Sequence, residues 1–398
     1  MAIAPLTRTP TDPPRTPRLS LAVADANWFT TEHLFREVDR EDVATLLLHC
    51  QDYRNAWNAG LRPWNWRRSP KQLGESHWRH ELVLPSGWMK SFPQIGMRPI
   101  ASSIQRWHRR MGRKSQLALV MTYPFYRPLR DMVRPDYHIY YNVDDYTLYW
   151  PGQADRVREA ERQMVRESDL TVCVARSRAD ELRSAVPEAS DRIKHLPHGA
   201  RSASLGDRAY DRPAALPEDI AHLPRPILGY IGSLEDRLDY DLIHRLAGAM
   251  PEASVVLIGR EPSENAPGAE NFRRCVELSN VHALGWRPQA SINDYNRCFD
   301  VCLIPYLPDH PFNVACCPTK IMDYMVTGRP IVSTTVPECR LYEDLFRVAS
   351  DHEAFIESVR AIVATGSDDG LASARYEWAR EHTCRRVVDQ LLDWLPID

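Results

Sequence analysis

The chain has no apolar run long enough to cross a bilayer. Its apolar runs are short, such as Val301–Ile304, which stops at Pro305, whereas a spanning helix needs about 20 apolar residues. The N-terminus lacks the apolar core of a secretion leader; Met1–Arg18 holds five prolines and reads as a disordered arm. Excess positive charge is also absent. The formal net charge of -3 over 398 residues gives no reason to expect nucleic acid as a partner. The nine cysteines show no CxxC pairing. That spacing excludes a disulfide framework of the small-secreted-domain kind and fits a reduced, cytoplasmic setting. The vicinal pair Cys316-Cys317 reads as buried small apolar residues. No G-x-G-x-x-G follows a predicted strand, since neither Gly229-Tyr-Ile-Gly232 nor Ile258-Gly259 supplies one; this argues against a dinucleotide-dependent oxidoreductase. No His/Cys/Asp cluster has metal-ligand spacing, which agrees with a protein that carries no metal and no cofactor.

What remains is an ordinary globular composition, 43% hydrophobic and 26% charged, on a length that suits two domains. Short β-rich runs alternate with helical patterns, the pattern of α/β layers. Strands are predicted at Leu19–Val23, Val43–Leu48, Leu117–Met121, His138–Asn142, Leu170–Val174 and Ile193–Leu196. The helix after Leu170–Val174 is expected to open on the capping signal Ser177-Arg-Ala-Asp180. Residues 201–226, rich in proline, read as an interdomain linker. A second α/β run begins at Ile227. Its predicted strands are Ile227–Ile231, Ser254–Ile258, Val281–Leu284, Val301–Ile304 and Ile331–Ser333. Its predicted helices are Tyr240–Met250, Ala290–Arg297 and Pro318–Val326. In such parallel sheets ligands bind beyond the carboxyl ends of the strands.

Two segments there have the chemistry of an anion site. Gly232-Ser233-Leu-Glu-Asp-Arg237 follows a strand. Gly232 allows close backbone approach, and Arg237 adds a charge-assisted contact suited to a diphosphate. A plain βα loop with a solvated arginine is the competing reading. In Pro318-Thr319-Lys320-Ile-Met-Asp323, Lys320 and Asp323 lie three apart and share one helix face. The cation suits a phosphate, and the acid suits a ribose diol. A surface ion pair is the competing reading.

At these residues the chain resembles the GT-B glycosyltransferases, in particular the retaining, glycogen-synthase-like group with its teichuronic-acid-type members. Ile227-Leu-Gly-Tyr-Ile-Gly-Ser233 resembles the strand and loop that open the nucleotide-sugar domain. Asn280-Val-His-Ala-Leu-Gly-Trp286 and Val301-Cys-Leu-Ile-Pro305 resemble two further strands. Pro318–Ser333 resembles the donor-site helix and strand, and His198-Gly199 sits at the turn before the linker. The likeness is strong in the second half and loose in the first. It implies two Rossmann-like domains with parallel sheets facing across a cleft, 19–200 for the acceptor and 227–378 for the donor, with a last helical segment 379–398 packing back toward the first. It also implies donor-site roles for Gly232, Ser233, Arg237, Trp286, Arg287, Thr319, Lys320 and Asp323, with Arg237 and Lys320 stabilising the leaving diphosphate, Trp286-Arg287 near the base and Asp323 at the ribose. Three departures stand out. Asp323 replaces a glutamate, Ala315 stands where the family carries a second glutamate, and Cys384 replaces a common tryptophan. With Ala315 in place of the acid, Asn313 or backbone N–H groups are left to meet the donor sugar.

On the acceptor side, Asp144 and Asp145 follow a predicted strand and sit where some members carry an acidic pair. One of them is a candidate base, against a loop-capping role. Trp28, Thr31 and His33 lie just beyond the first strand and are further acceptor-side candidates. Between Arg98 and Lys114 there are six Lys/Arg residues and no acid, while Ile100, Ile104, Trp107 and Met111 form one stripe. Either the stripe packs on the sheet, or the helix makes a peripheral contact with an anionic membrane. Trp57, Trp64, Trp66, Trp78 and Trp88 enrich the neighbouring segment.

The resulting expectation is a cytoplasmic, hexosyltransferase-like enzyme of polysaccharide or glycolipid assembly, with the inner face of the membrane as a place of work where the basic helix makes its peripheral contact. It would move a sugar from a UDP- or GDP-linked donor to a glycan or lipid-linked acceptor, with retention and without metal. The alternatives are a nucleotide-sugar 2-epimerase on the same fold and a non-catalytic nucleotide-sugar or glycan binder.

Overall fold

The computed structural model describes residues 16–58, 60, 69–89, 93–112, 114–209, 213 and 216–397. Most of the N-terminal arm, Trp64 and Trp66 therefore lie outside the described residues. The chain forms two compact units. One spans Met1–Tyr140, Glu167–Asp169 and Leu395–Asp398; the other spans Tyr141–Arg166 and Leu170–Trp394. This division groups 141–166 and 170–200 with the second half of the chain, where the sequence reading placed them with the first domain.

In the first unit the strands are β1 (Leu19–Ala24), β2 (Val43–Asp52), β3 (Lys71–Gln72), β4 (His77–Leu84), β5 (Gln116–Met121) and the start of β6 (Tyr137–Asn142). They run in the order β3-β4-β2-β1-β5-β6. All pairings are parallel except that of β3 with β4. Strand β1 is buried on both faces, as expected for a central parallel strand covered by helices. The helix Arg98–Met111 buries Ile100, Ala101, Ser103, Ile104 and Trp107. Its apolar stripe is thus part of this unit's own core. Arg98, Arg106, Arg109 and Arg110 are exposed, so the charged face is what the helix presents.

The second unit opens with β7 (Leu170–Cys173) and β8 (Ile193–His195), a parallel pair. It continues with β9 (Ile227–Ile231), β10 (Ser254–Ile258), β11 (Val281–Gly285), β12 (Val301–Ile304), β13 (Ile331–Thr334) and β14 (Arg347–Ala349). These six form a parallel sheet in the order β11-β10-β9-β12-β13-β14. The chain winds outward from β9 in one direction, then returns to add β12 on the other side. That reversal opens a crevice at the carboxyl ends of β9 and β12.

The helix after β7 spans Arg176–Ala185, two residues earlier than the capping signal suggests, and Ser177 does not cap it. Ser177 Oγ instead donates to the carbonyl of Val314 (2.9 Å). The helix N-terminus is capped from a distance. The buried carboxylate of Glu338 accepts the Arg176 N–H (2.8 Å) and also bonds His195 Nε2 (3.0 Å). An orphan helix N–H and a buried acid satisfy each other.

Candidate functional site

The site is built from the chain leaving β9 and β12. Gly232 follows β9, and Gly259 follows β10 directly beside it. A Cβ on Gly259 would fall 1.8 Å from the Gly232 carbonyl oxygen, so this approach requires glycine. Behind the turn, Tyr230 and Tyr306 are buried edge to face, with ring centroids 6.3 Å apart. Two cations stand over these rings. Lys320 Nζ lies 5.1 Å from the Tyr230 centroid and 5.4 Å from that of Tyr306, and Arg237 Cζ lies 4.8 Å from Tyr306. Among the described residues, neither cation is ion-paired to a carboxylate. Aromatic faces stabilise a cation without neutralising it, which leaves both charges for an anionic ligand.

Arg237 is held by its backbone. Its carbonyl accepts from Leu307 N–H (3.0 Å) and from Asn313 Nδ2 (2.9 Å), and Asn313 Nδ2 also reaches Leu307 O (2.9 Å). Asn313 is fully buried. Its amide donors are spent on positioning the loop, so they are not offered to a sugar. Arg237 Nη2 donates to Cys316 Sγ (3.5 Å), and Arg237 Nε is buried without a partner. Cys317 is buried as expected, but Cys316 is partly exposed and contacts this arginine. None of the nine cysteines forms a disulfide.

The helix Thr319–Met325 starts one residue after Pro318. It carries Lys320 and Asp323 on one side, and the Lys320 charge acts on the Asp323 carboxyl. Burial pushes the Asp323 pKa upward; Arg201 and Lys320 oppose it. Arg201 Nη2 stands 3.7 Å from Asp323 Oδ1. Thr319 is half-buried at the first turn.

Trp286 is exposed after β11. Arg287 is tied to Asp219, with a bond from Nη2 and another from Nε (3.1 Å), and to Tyr295 (3.0 Å). Ser233 is exposed, and its carbonyl accepts from Tyr230 (3.1 Å).

The two aspartates differ. Asp145 Oδ1 accepts from Thr147 N–H (2.9 Å) and Oγ1 (2.7 Å), and Oδ2 faces the buried Arg178 at 3.9 Å. Its carboxylate is committed to this turn. Asp144 accepts from the Tyr149 hydroxyl (2.7 Å). Burial raises its pKa, opposed by Tyr149, the Asp145 N–H and Arg237. Asp144 is therefore the aspartate in electrical contact with the cationic site. In the first unit, Trp28 is exposed, Thr31 is buried with an unpartnered hydroxyl, and His33 packs edge-on against Phe29 at 4.0 Å.

Sequence reasoning missed Tyr230, Tyr306 and Arg201. Tyr230 sits in the apolar strand β9 and Tyr306 just past β12, contexts that read as core, and only the fold brings Arg201 to the donor helix. Gly232→Ala tests the geometry. The new Cβ would meet Lys320 Nζ at 2.4 Å and Tyr230 Oη at 2.7 Å. The lysine end is flexible and moves away, but Tyr230 is buried and a φ of 156° does not suit a Cβ, so Tm should fall somewhat while the fold survives. Anion affinity, measured by calorimetry with UDP, should fall by about tenfold, equivalent to about 1.4 kcal/mol.

Among the described residues, no helix is long and apolar enough to cross a membrane, and no group of three His, Cys, Asp or Glu is placed to hold a metal ion.

Residues 225–365 match the family model for glycosyl transferases group 1. The chain is 23% identical over 175 residues to the putative teichuronic acid biosynthesis glycosyltransferase TuaH of Bacillus subtilis (strain 168), which is 43% of each protein. The match thus spans less than half the length of that relative. Among solved structures, sucrose-phosphate synthase of Thermosynechococcus elongatus superposes with a TM-score of 0.67 at 14% identity, over 94% of this chain and 98% of that one. Anabaena HepE in complex with UDP and glucose superposes with a TM-score of 0.63 at 13% identity, over 94% and 99%. At such identities the likeness establishes the fold. Residues 225–365 thus resemble the group 1 glycosyl transferases, on a chain that has the fold of these solved structures, GT-B.

Proposed function

We propose that the chain is a glycosyltransferase that takes a nucleotide sugar at the carboxyl ends of β9 and β12 and moves its sugar to a hydroxyl of a glycan or lipid-linked acceptor. The observation that carries this is the pair Arg237 and Lys320, two cations held over Tyr306 beside Gly232, with no carboxylate ion-paired to either among the described residues. A nucleoside diphosphate leaving group needs that arrangement, because preorganised charge stabilises the negative charge that develops on departure. Asp323 accepts the ribose hydroxyls. Asp144, beside Arg237, is the carboxylate that takes part in acceptor activation. Retention of configuration and independence from metal follow the family resemblance. HepE in complex with UDP and glucose favours a uridine-linked donor. The relation to a teichuronic acid enzyme favours an anionic polysaccharide or its lipid-linked precursor as acceptor. The exposed arginines of the helix Arg98–Met111 would meet anionic membrane or acceptor charge through electrostatics rather than insertion.

The test is a thermal-shift screen of the purified chain against UDP-, GDP-, dTDP- and ADP-sugars. A ligand bound only by the native state at 100 times its Kd stabilises by about 2.7 kcal/mol. A shift with one donor class, lost in Asp323→Ala, is expected. No shift with any donor, or a shift unchanged in Asp323→Ala, would refute the donor-site assignment.

A further inference from the structure

The turn after β11 is held by a residue from the stretch that reads as a linker. Asp219 lies on a single helical turn, Glu218–Ala221. Its neighbour Ile220 is buried in the hydrophobic core of the second unit, and that anchor sets Asp219 beside residues 285–287. Asp219 Oδ2 accepts from Arg287 through Nη2 and through Nε (3.1 Å). The hydroxyl of the buried Tyr295 reaches both Asp219 oxygens (2.9 and 3.0 Å) and accepts from Arg287 Nε (3.0 Å). Arg287 Nη1 turns back onto the carbonyl of Trp286 (3.0 Å). All three guanidinium nitrogens are thus engaged within the protein. Arg287, expected beside the base, is instead a brace of its own turn.

Stability does not account for this brace. The Arg287 and Asp219 side chains are 27% and 30% exposed, and ion pairs so open to water contribute little. What the converging hydrogen bonds achieve is a single geometry for the turn, and a turn fixed in advance loses less freedom on binding. The turn presents Trp286, which is 64% exposed. Its place fits a ligand in length. Strands β9, β10 and β11 are consecutive neighbours. Two strand spacings put the turn after β11 about 10 Å from the turn after β9, where Lys320 and Arg237 form the anion site. Between them lies Gly259, whose N–H donates to the Gly285 carbonyl (3.0 Å). A ribose with its base spans a comparable length, and an indole face is a stacking surface for any base. We propose that Asp219 is a positioning residue of the donor site: through Arg287 and Tyr295 it fixes the 285–287 turn so that the Trp286 indole stacks on the nucleobase. This deepens the donor reading and rests on it.

Calorimetry with UDP on the full chain tests this in the parent, Trp286→Ala, Asp219→Ala and the double variant. Trp286→Ala should weaken UDP about tenfold, the effect of losing one base–aromatic stack. Asp219→Ala should weaken it about fivefold, because the indole is no longer held in place. The double variant should bind like Trp286→Ala alone, since Asp219 acts through the indole; independent contributions would multiply to about fiftyfold. Melting curves should place Asp219→Ala within about 2 °C of the parent. If it melts lower, Asp219→Asn, which keeps the shape and one acceptor oxygen, takes its place in the cycle with the same expectation. Inorganic pyrophosphate, which has no base, should bind all four proteins equally. Unchanged UDP affinity in the Asp219 variant, multiplied losses in the double variant, or a pyrophosphate affinity that falls along with that of UDP would each overturn the proposal. Failure of the donor reading looks different. If neither UDP nor pyrophosphate binds the parent, the anion site is refuted and this inference goes with it. If pyrophosphate binds the parent as tightly as UDP does, the anion site stands and only the base platform is refuted.

Discussion

Replacing Lys320 or Arg237 by alanine is expected to lower sugar-transfer turnover by roughly 10²–10³-fold, the usual effect of removing one preorganised group from developing negative charge. Both side chains contact Tyr306, so a purely structural role would appear as a lowered Tm. That is not expected. The Lys320 ammonium makes no hydrogen bond or ion pair among the described residues, so its loss leaves no buried partner orphaned. Arg237 is the sharper case. Its loop is fixed through its backbone carbonyl by Leu307 and Asn313, which a side-chain truncation does not touch. Initial-rate kinetics with the donor found in the screen, paired with melting curves, give the answer. Turnover within twofold of the parent for both variants would remove the diphosphate assignment. Loss of both turnover and Tm would make the pair structural.

Arg375→Met should have the largest effect on stability, about 3–5 kcal/mol. Arg375 is fully buried. Its guanidinium donates to the carbonyl of Gly328 through Nε (3.2 Å) and Nη2 (2.9 Å), to Leu345 O (2.9 Å), and to both oxygens of Asp369 (2.8 and 2.6 Å). Asp369 is itself 3% exposed. Removing only the cation strands a buried carboxylate and two carbonyls, and breaking one half of a buried pair is costly for that reason. Gly328 closes the helix that carries Lys320 and Asp323, so the same change loosens the donor segment. Scanning calorimetry should show the transition fall by roughly 10 °C. Adding Asp369→Leu should recover part of the loss, because the stranded charge is then gone. A single variant that melts like the parent would show that the pair contributes nothing net.

The second half of the chain was the more legible in sequence. Its strands Ile227–Ile231, Ser254–Ile258 and Val301–Ile304 are continuous apolar runs, which buried parallel strands must be. Strand β4 was not legible. His77, Arg79, His80 and Glu81 spoil its pattern, yet it lies inside the sheet. Its polar groups are paired by tertiary partners: Arg79 with Glu32 and Glu81 (both 2.9 Å), and His80 with Ser103 (2.6 Å). Only Glu81 of these partners lies in β4 itself, so local spacing could not announce the rest. The cationic residues of the candidate site were legible because Gly232, Arg237 and Lys320 follow strands in an ordered series of motifs. Their tyrosine platform and the Arg201 contact were not, since apolar strands carry no mark of what stands over them. The choice between Asp144 and Asp145 was equally out of reach. It depends on Thr147 and Arg178 occupying one of two adjacent carboxylates.

Glu338 carries a consequence for how this protein can be divided. It lies within the family-matched segment 225–365, yet its carboxylate is completed by Arg176 and His195, well upstream. The Gly199 carbonyl likewise accepts from Cys384 Sγ (3.2 Å), and Ala200 pairs with Thr383, beyond the segment's other end. The heritable module and the folding module therefore have different borders. A recombination event with crossovers at 225 and 365 would transplant the nucleotide-binding residues while leaving an acid buried without its donors. Exchange of specificity between relatives by shuffling is physically sound only if the 170–200 strands and the last helix travel with the segment, or if the recipient already supplies an N–H and an imidazole at the same two points.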